Sequence, residues 1–259
     1  MKSTSLFLAA AVALALQFNA SAQTNAPVDA AAPAHVNLAI VPVPRTGGIT
    51  NRQSLVLQRA KDAPGDYDIE FIGDSITQNW EGPGKNVWKE ISAKYKVINF
   101  GVSGDRTEHV LWRFSQGQLD GIKAKVAVVM IGTNNSNKKK DGTWEYTESD
   151  ILEGVTAIVN EIRRRQPDTK VLLLGIFPRG MTFNEQRGRI AEINQALSRL
   201  DDGKNIFFLD FGAKFLENDG SISMEMMPDK SNARLHPAEK GYRIWADAMQ
   251  PKLTEIIGK

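Results

Sequence analysis

Cysteine is absent from the 259 residues, and histidine occurs only as His35, His109 and His236. Without cysteine there can be no disulfide framework, thiolate zinc site, iron–sulfur cluster or cysteine nucleophile. Three scattered histidines with no H-E-x-x-H spacing do not build a zinc site either, so neither a metal nor a cofactor is expected. An excess of one charge sign is also missing. Lysine and arginine number 32 against 30 aspartates and glutamates, a net charge of +2 that leaves no electrostatic footprint for nucleic acid. No G-x-S-x-G string occurs, which removes the strained nucleophile elbow of α/β-hydrolases. The apolar run Leu6–Leu16 is too short for a hydrocarbon core of ~30 Å, so stable membrane insertion is not expected.

What is present reads as an exported globular protein. Lys2, the apolar run and Ala20-Ser21-Ala22 have the order of a signal peptide, residues 1–22, cleaved after Ala22. A periplasmic or secreted location follows from that reading, and no cysteine follows the cleavage point to carry a lipid. Residues 23–48 are rich in alanine and proline without amphipathic period and read as a semi-rigid lead-in. Residues 49–259 then read as one domain. With 42% hydrophobic and 24% charged residues, the chain has the composition of a folded globule.

Within that domain two patterns alternate. Short apolar runs at Tyr67–Ile72, Lys96–Phe100, Val126–Ile131, Val171–Ile176 and Ile206–Asp210 predict strands. Helical period predicts helices over 86–95, 106–117, 150–165, 185–201 and 238–257. The third and fourth runs, VAVVMI and VLLLGI, are apolar on both faces, as strands covered by helices on each side must be. The expected fold is a three-layer α/β/α sandwich around a five-stranded parallel sheet, flavodoxin-like in plan.

Ligands of such sheets bind beyond the carboxyl ends of the strands. The segments found there are Gly73-Asp74-Ser75-Ile76-Thr77, Gly101-Val102-Ser103-Gly104-Asp105, Gly132-Thr133-Asn134-Asn135 and Phe177-Pro178-Arg179-Gly180. Arg234-Leu235-His236-Pro237 precedes the last helix. Singly these segments are ordinary turns, with Ser75 able to act as a helix N-cap and Asn134 as a turn residue. In this order FIGDSIT, NFGVSGDRT, IGTNN and LHPAEKGYRIWADA resemble the SGNH, or GDSL-type, esterase/lipase superfamily. They are most similar to the branch of platelet-activating-factor acetylhydrolase catalytic subunits and bacterial carbohydrate acetylesterases.

The resemblance implies Ser75 as nucleophile and His236 as general base. It implies an oxyanion hole from the Ser75 N–H, the Gly104 N–H and the Asn134 amide. The chemistry agrees: a serine hydroxyl needs an imidazole within hydrogen-bond reach, and neutral amide donors suit a developing alkoxide. One position departs from the pattern. The family's acid stands three residues before the histidine, where this chain has Ala233. Asp229, seven residues before His236, is the candidate acid if residues 230–233 loop out, and Asp210 is a weaker one. A Ser–His dyad is the competing reading. Asp74, Arg106 and Trp80 are candidates for contact with substrate, Asp74 more as a brace of the nucleophile turn. Trp88, Trp112 and Trp144 are further rim candidates, and His109 reads as structural.

The leading expectation is a serine esterase for short acyl esters, acetyl on carbohydrate foremost, with a small-molecule or glycan ester as its partner. The alternatives are a binder of acylated glycan that has lost its acid, and a flavodoxin-like carrier of nucleotide or flavin.

Overall fold

The computed structural model describes residues 35–46, 50–229 and 233–258; the signal-peptide segment 1–22 lies outside them. The chain divides into two units, Met1–Val36 and Asn37–Lys259, and the fold is that of the second.

Five strands pair in parallel: β1 Gly65–Gly73, β2 Val97–Asn99, β3 Ile122–Met130, β4 Lys170–Leu174 and β5 Ile206–Leu209. Their order across the sheet is β2-β1-β3-β4-β5. The helices are α1 Thr50–Asp62, α2 Ser75–Gln78, α3 Lys85–Lys94, α4 Thr107–Ser115, α5 Glu148–Arg165, α6 Glu185–Leu197 and α7 Glu239–Ile257. Among the described residues no helix is long and apolar enough to cross a membrane.

Alternation along the strands makes the two outer layers. Ile69, Phe71, Val126, Val128, Leu172 and Leu174 pack against Val87 and Ile91 of α3 and Trp245, Met249 and Leu253 of α7. Their neighbours Ile72, Ala127, Val129, Val171 and Leu173 face the other way, against α4, α5 and α6. Helix α5 puts Ile151, Val155, Ile158, Val159 and Ile162 on its buried stripe. A capping box starts it: Asp150 N–H donates to Thr147 Oγ1 at 3.1 Å and Thr147 N–H to Asp150 Oδ2 at 2.8 Å. The three-layer sandwich expected from the apolar runs is the fold observed.

Three boundaries differ from the sequence reading. Strand β3 starts at Ile122, because Ile-Lys-Ala-Lys alternates buried and exposed where one face of the sheet is open to solvent. Helix α1 was not anticipated: its sequence is polar, and it is anchored mainly through Val56 and Ala60, which join a small cluster with Tyr67 and Phe100. The packed domain also begins at Asn37, earlier than residue 49.

Candidate active site

The loops at the carboxyl ends of β1, β2 and β3 form the site, and the loop before α7 closes it. A Cβ at Gly73 would stand 2.4 Å from the Met130 carbonyl oxygen and 2.2 Å from Thr77 Oγ1, so only glycine lets β1 turn there. Asp74 caps α2, its Oδ1 accepting the Ile76 N–H at 2.9 Å. Ser75 is therefore the first residue of the helix, not its cap. Its own N–H is one of the amides that a first helical turn leaves without an intrahelical acceptor. From α7, Tyr242 donates its hydroxyl to the Ile76 carbonyl at 2.7 Å and ties the last helix to this turn.

Ser75 Oγ lies 3.0 Å from His236 Nε2, across 161 residues of sequence. His236 Nδ1 faces Asp229 Oδ2 at 3.7 Å, in ion-pair range but longer than a hydrogen bond. Burial holds the His236 pKa below the usual imidazole value; the Asp229 carboxylate works against that depression, and Arg179 adds to it. The ring is thus neutral near pH 7 and able to accept a proton.

The loop that brings Asp229 to the ring is set by Arg234. Its guanidinium donates to the carbonyls of Asp229 at 2.8 Å and Met227 at 3.3 Å while 6% exposed. Its φ of 39° is the only positive value at a non-glycine among the described residues. A bulky residue held in the left-handed region stores strain at the site.

Gly104 has φ 75°, in the region that favours glycine. The amides on either side of it are engaged: Ser103 N–H with Gln78 Oε1 at 2.8 Å, and Asp105 N–H with the Val102 carbonyl at 3.1 Å. Asn134 Nδ2 donates to the Asp105 carbonyl at 2.8 Å. That bond uses one amide hydrogen and leaves the other available to a ligand. Asn134 lies in the turn 133–136 but outside the left-handed region, so it is a turn residue without the αL conformation. Below the loop, Asp105 forms an ion pair with Arg113, both side chains fully buried. Arg113 also donates to Gln118 and the Phe100 carbonyl. The loops carrying Gly104 and Asn134 are therefore anchored to each other and to the core.

The other candidates are held by neighbours within the fold. Trp80 is 0% exposed, packed 4.6 Å from Tyr242 and 4.9 Å from Trp245 by ring centroids, so it is core and not rim. Asp74, 1% exposed, braces the turn; burial raises its pKa to about 7 against the pull of the Ile76 N–H and Arg179. Arg106 is engaged by Glu145 at 2.8 Å and lies over the Tyr146 ring. Asp210 accepts from Asn194 Nδ2 and the Gly212 N–H, while the carboxylate that faces His236 is that of Asp229. Trp88 packs against Phe71, and Trp144 is held by Lys138 and Arg189. His109 Nδ1 accepts the Arg106 N–H at 3.0 Å, with a pKa lowered to about 4 by burial and the nearby arginines, so it is a neutral structural ring. Among the described residues no group of three or more His, Asp or Glu is placed to hold a metal ion.

Sequence reasoning did not single out three arginines. Arg179, 7% exposed, donates to the Thr133 carbonyl at 2.9 Å and Asn137 Oδ1 at 2.7 Å, and its charge reaches both Asp74 and Asp229. Arg234 shapes the acid loop. Arg45 reaches the Gly104 carbonyl from the segment read as a lead-in.

The arrangement is a hydroxyl on an imidazole, with a carboxylate in ion-pair range on the ring's far nitrogen. The profile of the GDSL-like lipase/acylhydrolase family matches residues 71–244. The chain belongs to that family. It is 39% identical over 163 residues to the human platelet-activating factor acetylhydrolase IB subunit alpha2, an alignment spanning 62% of this chain and 67% of that one. A GDSL-like lipase from Bacteroides thetaiotaomicron superposes with a TM-score of 0.62 at 17% identity, covering 80% of this chain and 99% of the other. A carbohydrate acetylesterase from Sinorhizobium meliloti superposes with a TM-score of 0.53 at 16% identity, covering 73% and 98%. The family is one of acylhydrolases, and the solved structures share the fold.

Proposed function

We propose that this acylhydrolase is an exported serine esterase that removes short acyl groups, acetyl foremost, from carbohydrate. The observation that carries the mechanism is the 3.0 Å contact between Ser75 Oγ and His236 Nε2. In the proposed cycle His236 takes the Ser75 proton as Oγ attacks the ester carbonyl carbon. The oxyanion is met by the N–H groups of Ser75 and Gly104 and by the Asn134 amide. As the tetrahedral intermediate collapses, the C–O bond to the alcohol breaks and His236 returns the proton to the leaving oxygen. Water, deprotonated by His236, then attacks the acyl-enzyme, and the freed Ser75 oxygen regains its proton. Asp229 steadies the imidazolium that forms twice in each cycle.

Acetyl specificity draws on the relatives, named as acetylhydrolase and acetylesterase. Export rests on the pattern of residues 1–22. Carbohydrate is supported by a cavity of about 380 Å³ that Ala233 lines, three residues before His236. Phe183, also on its wall, is 77% exposed, a flat face of the kind that stacks on a sugar ring. The test is hydrolysis of p-nitrophenyl acetate and of acetylated xylan by wild type and Ser75→Ala. Release of acetate from both substrates by wild type, abolished in the variant, is the expected result. Equal slow hydrolysis by the two proteins overturns the mechanism, and activity on the small ester without release from xylan overturns the substrate class.

A further inference from the structure

The family match begins at Phe71, so a residue reaching the site from an earlier segment lies outside the matched region. Residues 37–46 do this. Asn37 Nδ2 donates to the Asp150 carbonyl at 3.2 Å and to Glu153 Oε2 at 2.9 Å, both on α5. Ala39 is fully buried, and its carbonyl accepts Thr107 Oγ1 of α4 at 2.8 Å. Val43 N–H donates to the Glu108 carbonyl. Thus fastened across two helices, the segment delivers the Arg45 guanidinium onto Gly104. Arg45 Nη1 donates to the Gly104 carbonyl, and the guanidinium fills the volume that a Cβ on Gly104 would take.

We propose that Arg45 is a positioning residue for the oxyanion hole, making the segment ahead of the matched region part of the catalytic machinery. The inference rests on the Ser75–His236 reading above. Gly104 has no side chain to be gripped, and glycine is the residue most free to rotate. Its neighbours in the loop are pinned by Gln78, Asn99 and Asn134. The Gly104 carbonyl is pinned by Arg45. That carbonyl belongs to the Gly104–Asp105 peptide and the Gly104 N–H to the Ser103–Gly104 peptide; with Arg45 holding the first and Gln78 holding Ser103 before the second, glycine's own two torsions have little room to swing the N–H.

Charge sets Arg45 apart from the arginines around it. Arg52, which donates to the Gly101 carbonyl at 3.0 Å, is neutralised by Glu81 at 2.8 Å, and Arg106 by Glu145 at 2.8 Å. Among the described residues Arg45 makes no ion pair, and its Nε is buried without a hydrogen-bond partner. Burial and Arg106 push against its charge and the Glu108 carboxylate supports it from beyond ion-pair range. Arg45 keeps its positive charge beside the loop where the reaction develops negative charge.

The test uses the full chain with Arg45→Ala, Arg45→Lys and Ser75→Ala. The readouts are kcat and KM on p-nitrophenyl acetate, and the inhibition constant of phenylboronic acid, which forms a tetrahedral adduct on an activated serine. Arg45→Ala is expected to lower kcat about tenfold or more, less than the loss of a whole oxyanion donor, with KM within about twofold. The boronate inhibition constant should rise by the same factor. Arg45→Lys should recover most of the loss, and millimolar guanidinium should partly rescue Arg45→Ala. Unchanged kcat in Arg45→Ala, or a lowered melting temperature with boronate affinity intact, overturns the proposal. Should Arg45→Ala not fold, Arg45→Met, which keeps the stem and removes the donors, decides: kcat and boronate affinity falling in step support the proposal, and both at wild-type values overturn it. If Ser75→Ala is dead while Arg45→Ala is wild-type, only this inference fails; if Ser75→Ala is active, the reading beneath it fails.

Discussion

Asn in place of Asp229 is the perturbation with the most to say about the site. The carboxylate stands 3.7 Å from His236 Nδ1, with the two side chains 26% and 39% exposed. Coulomb's law at that separation gives roughly 1 kcal/mol in bulk water and about 4 kcal/mol at an effective dielectric of 20. Partial exposure puts the pair toward the lower figure, about 1–2 kcal/mol. If that interaction is realised when imidazolium forms in the transition state, Asp229→Asn lowers kcat by about 5- to 30-fold. That is far short of the ~10⁴ loss known when a buried, tightly hydrogen-bonded acid is neutralised. A second consequence runs the other way. Asp229 raises the His236 pKa against burial, so removing its charge lets that pKa fall further. The acidic limb of kcat/KM therefore moves to lower pH while the plateau drops. Rates of p-nitrophenyl acetate hydrolysis from pH 4 to 9 measure both effects. An unchanged plateau and limb would show that Asp229 is a solvated turn residue beside a Ser–His dyad, and the reasoning would be refuted.

Three further outcomes follow from particular contacts. Trp80→Ala removes a fully buried indole from the cluster of Phe71, Tyr242 and Trp245 and should cost about 3–5 kcal/mol in urea unfolding; a loss under 1 kcal/mol would return Trp80 to the rim. Gly104→Ala forces φ 75° on an L-residue and drives its Cβ into Arg45, so kcat should fall at least tenfold with KM little changed; wild-type turnover would argue against Gly104 as a donor. Glu70 is fully buried at mid-β1, and burial raises its pKa to about 8 against the opposing pull of the Gln166 side chain. The folded state holds this proton more tightly than the unfolded chain does, so stability falls as pH rises from about 4.5 to about 8 and is flat above. The span is on the order of 4–5 kcal/mol. Glu70→Gln should remove that slope, and parallel stability–pH curves for variant and wild type would contradict it.

The sheet was legible because its strands are buried on both faces: VAVVM and VLLL cannot be amphipathic helices, and the helices between them show a clean apolar stripe. What escaped had weak local signals for physical reasons. Helix α1 is stabilised by two small buried residues and by arginines on loop carbonyls, which no hydrophobic period reveals. Ser75, Gly104, Asn134 and His236 stood out because each occupies a strand end or the last loop, where the topology converges. Trp80 misled because a tryptophan beside a Gly-Pro-Gly loop looks like a rim, and only packing shows that Tyr242 and Trp245 enclose it. Arg45, Arg179 and Arg234 act on backbone carbonyls far away in sequence, contacts that leave no motif. Ala233 is the instructive position: it stands where the resemblance leads one to expect an acid, and the carboxylate that faces His236, at 3.7 Å, is that of Asp229.

The central claim is that Ser75 forms the covalent bond. Treating the protein with a p-nitrophenyl alkylphosphonate and mapping peptides by mass spectrometry tests it directly. The account predicts a single phosphonyl adduct on the peptide containing Ser75, formed in step with loss of esterase activity and absent from Ser75→Ala and greatly slowed in His236→Ala. Label on another residue, or inactivation that proceeds equally in Ser75→Ala, would contradict it.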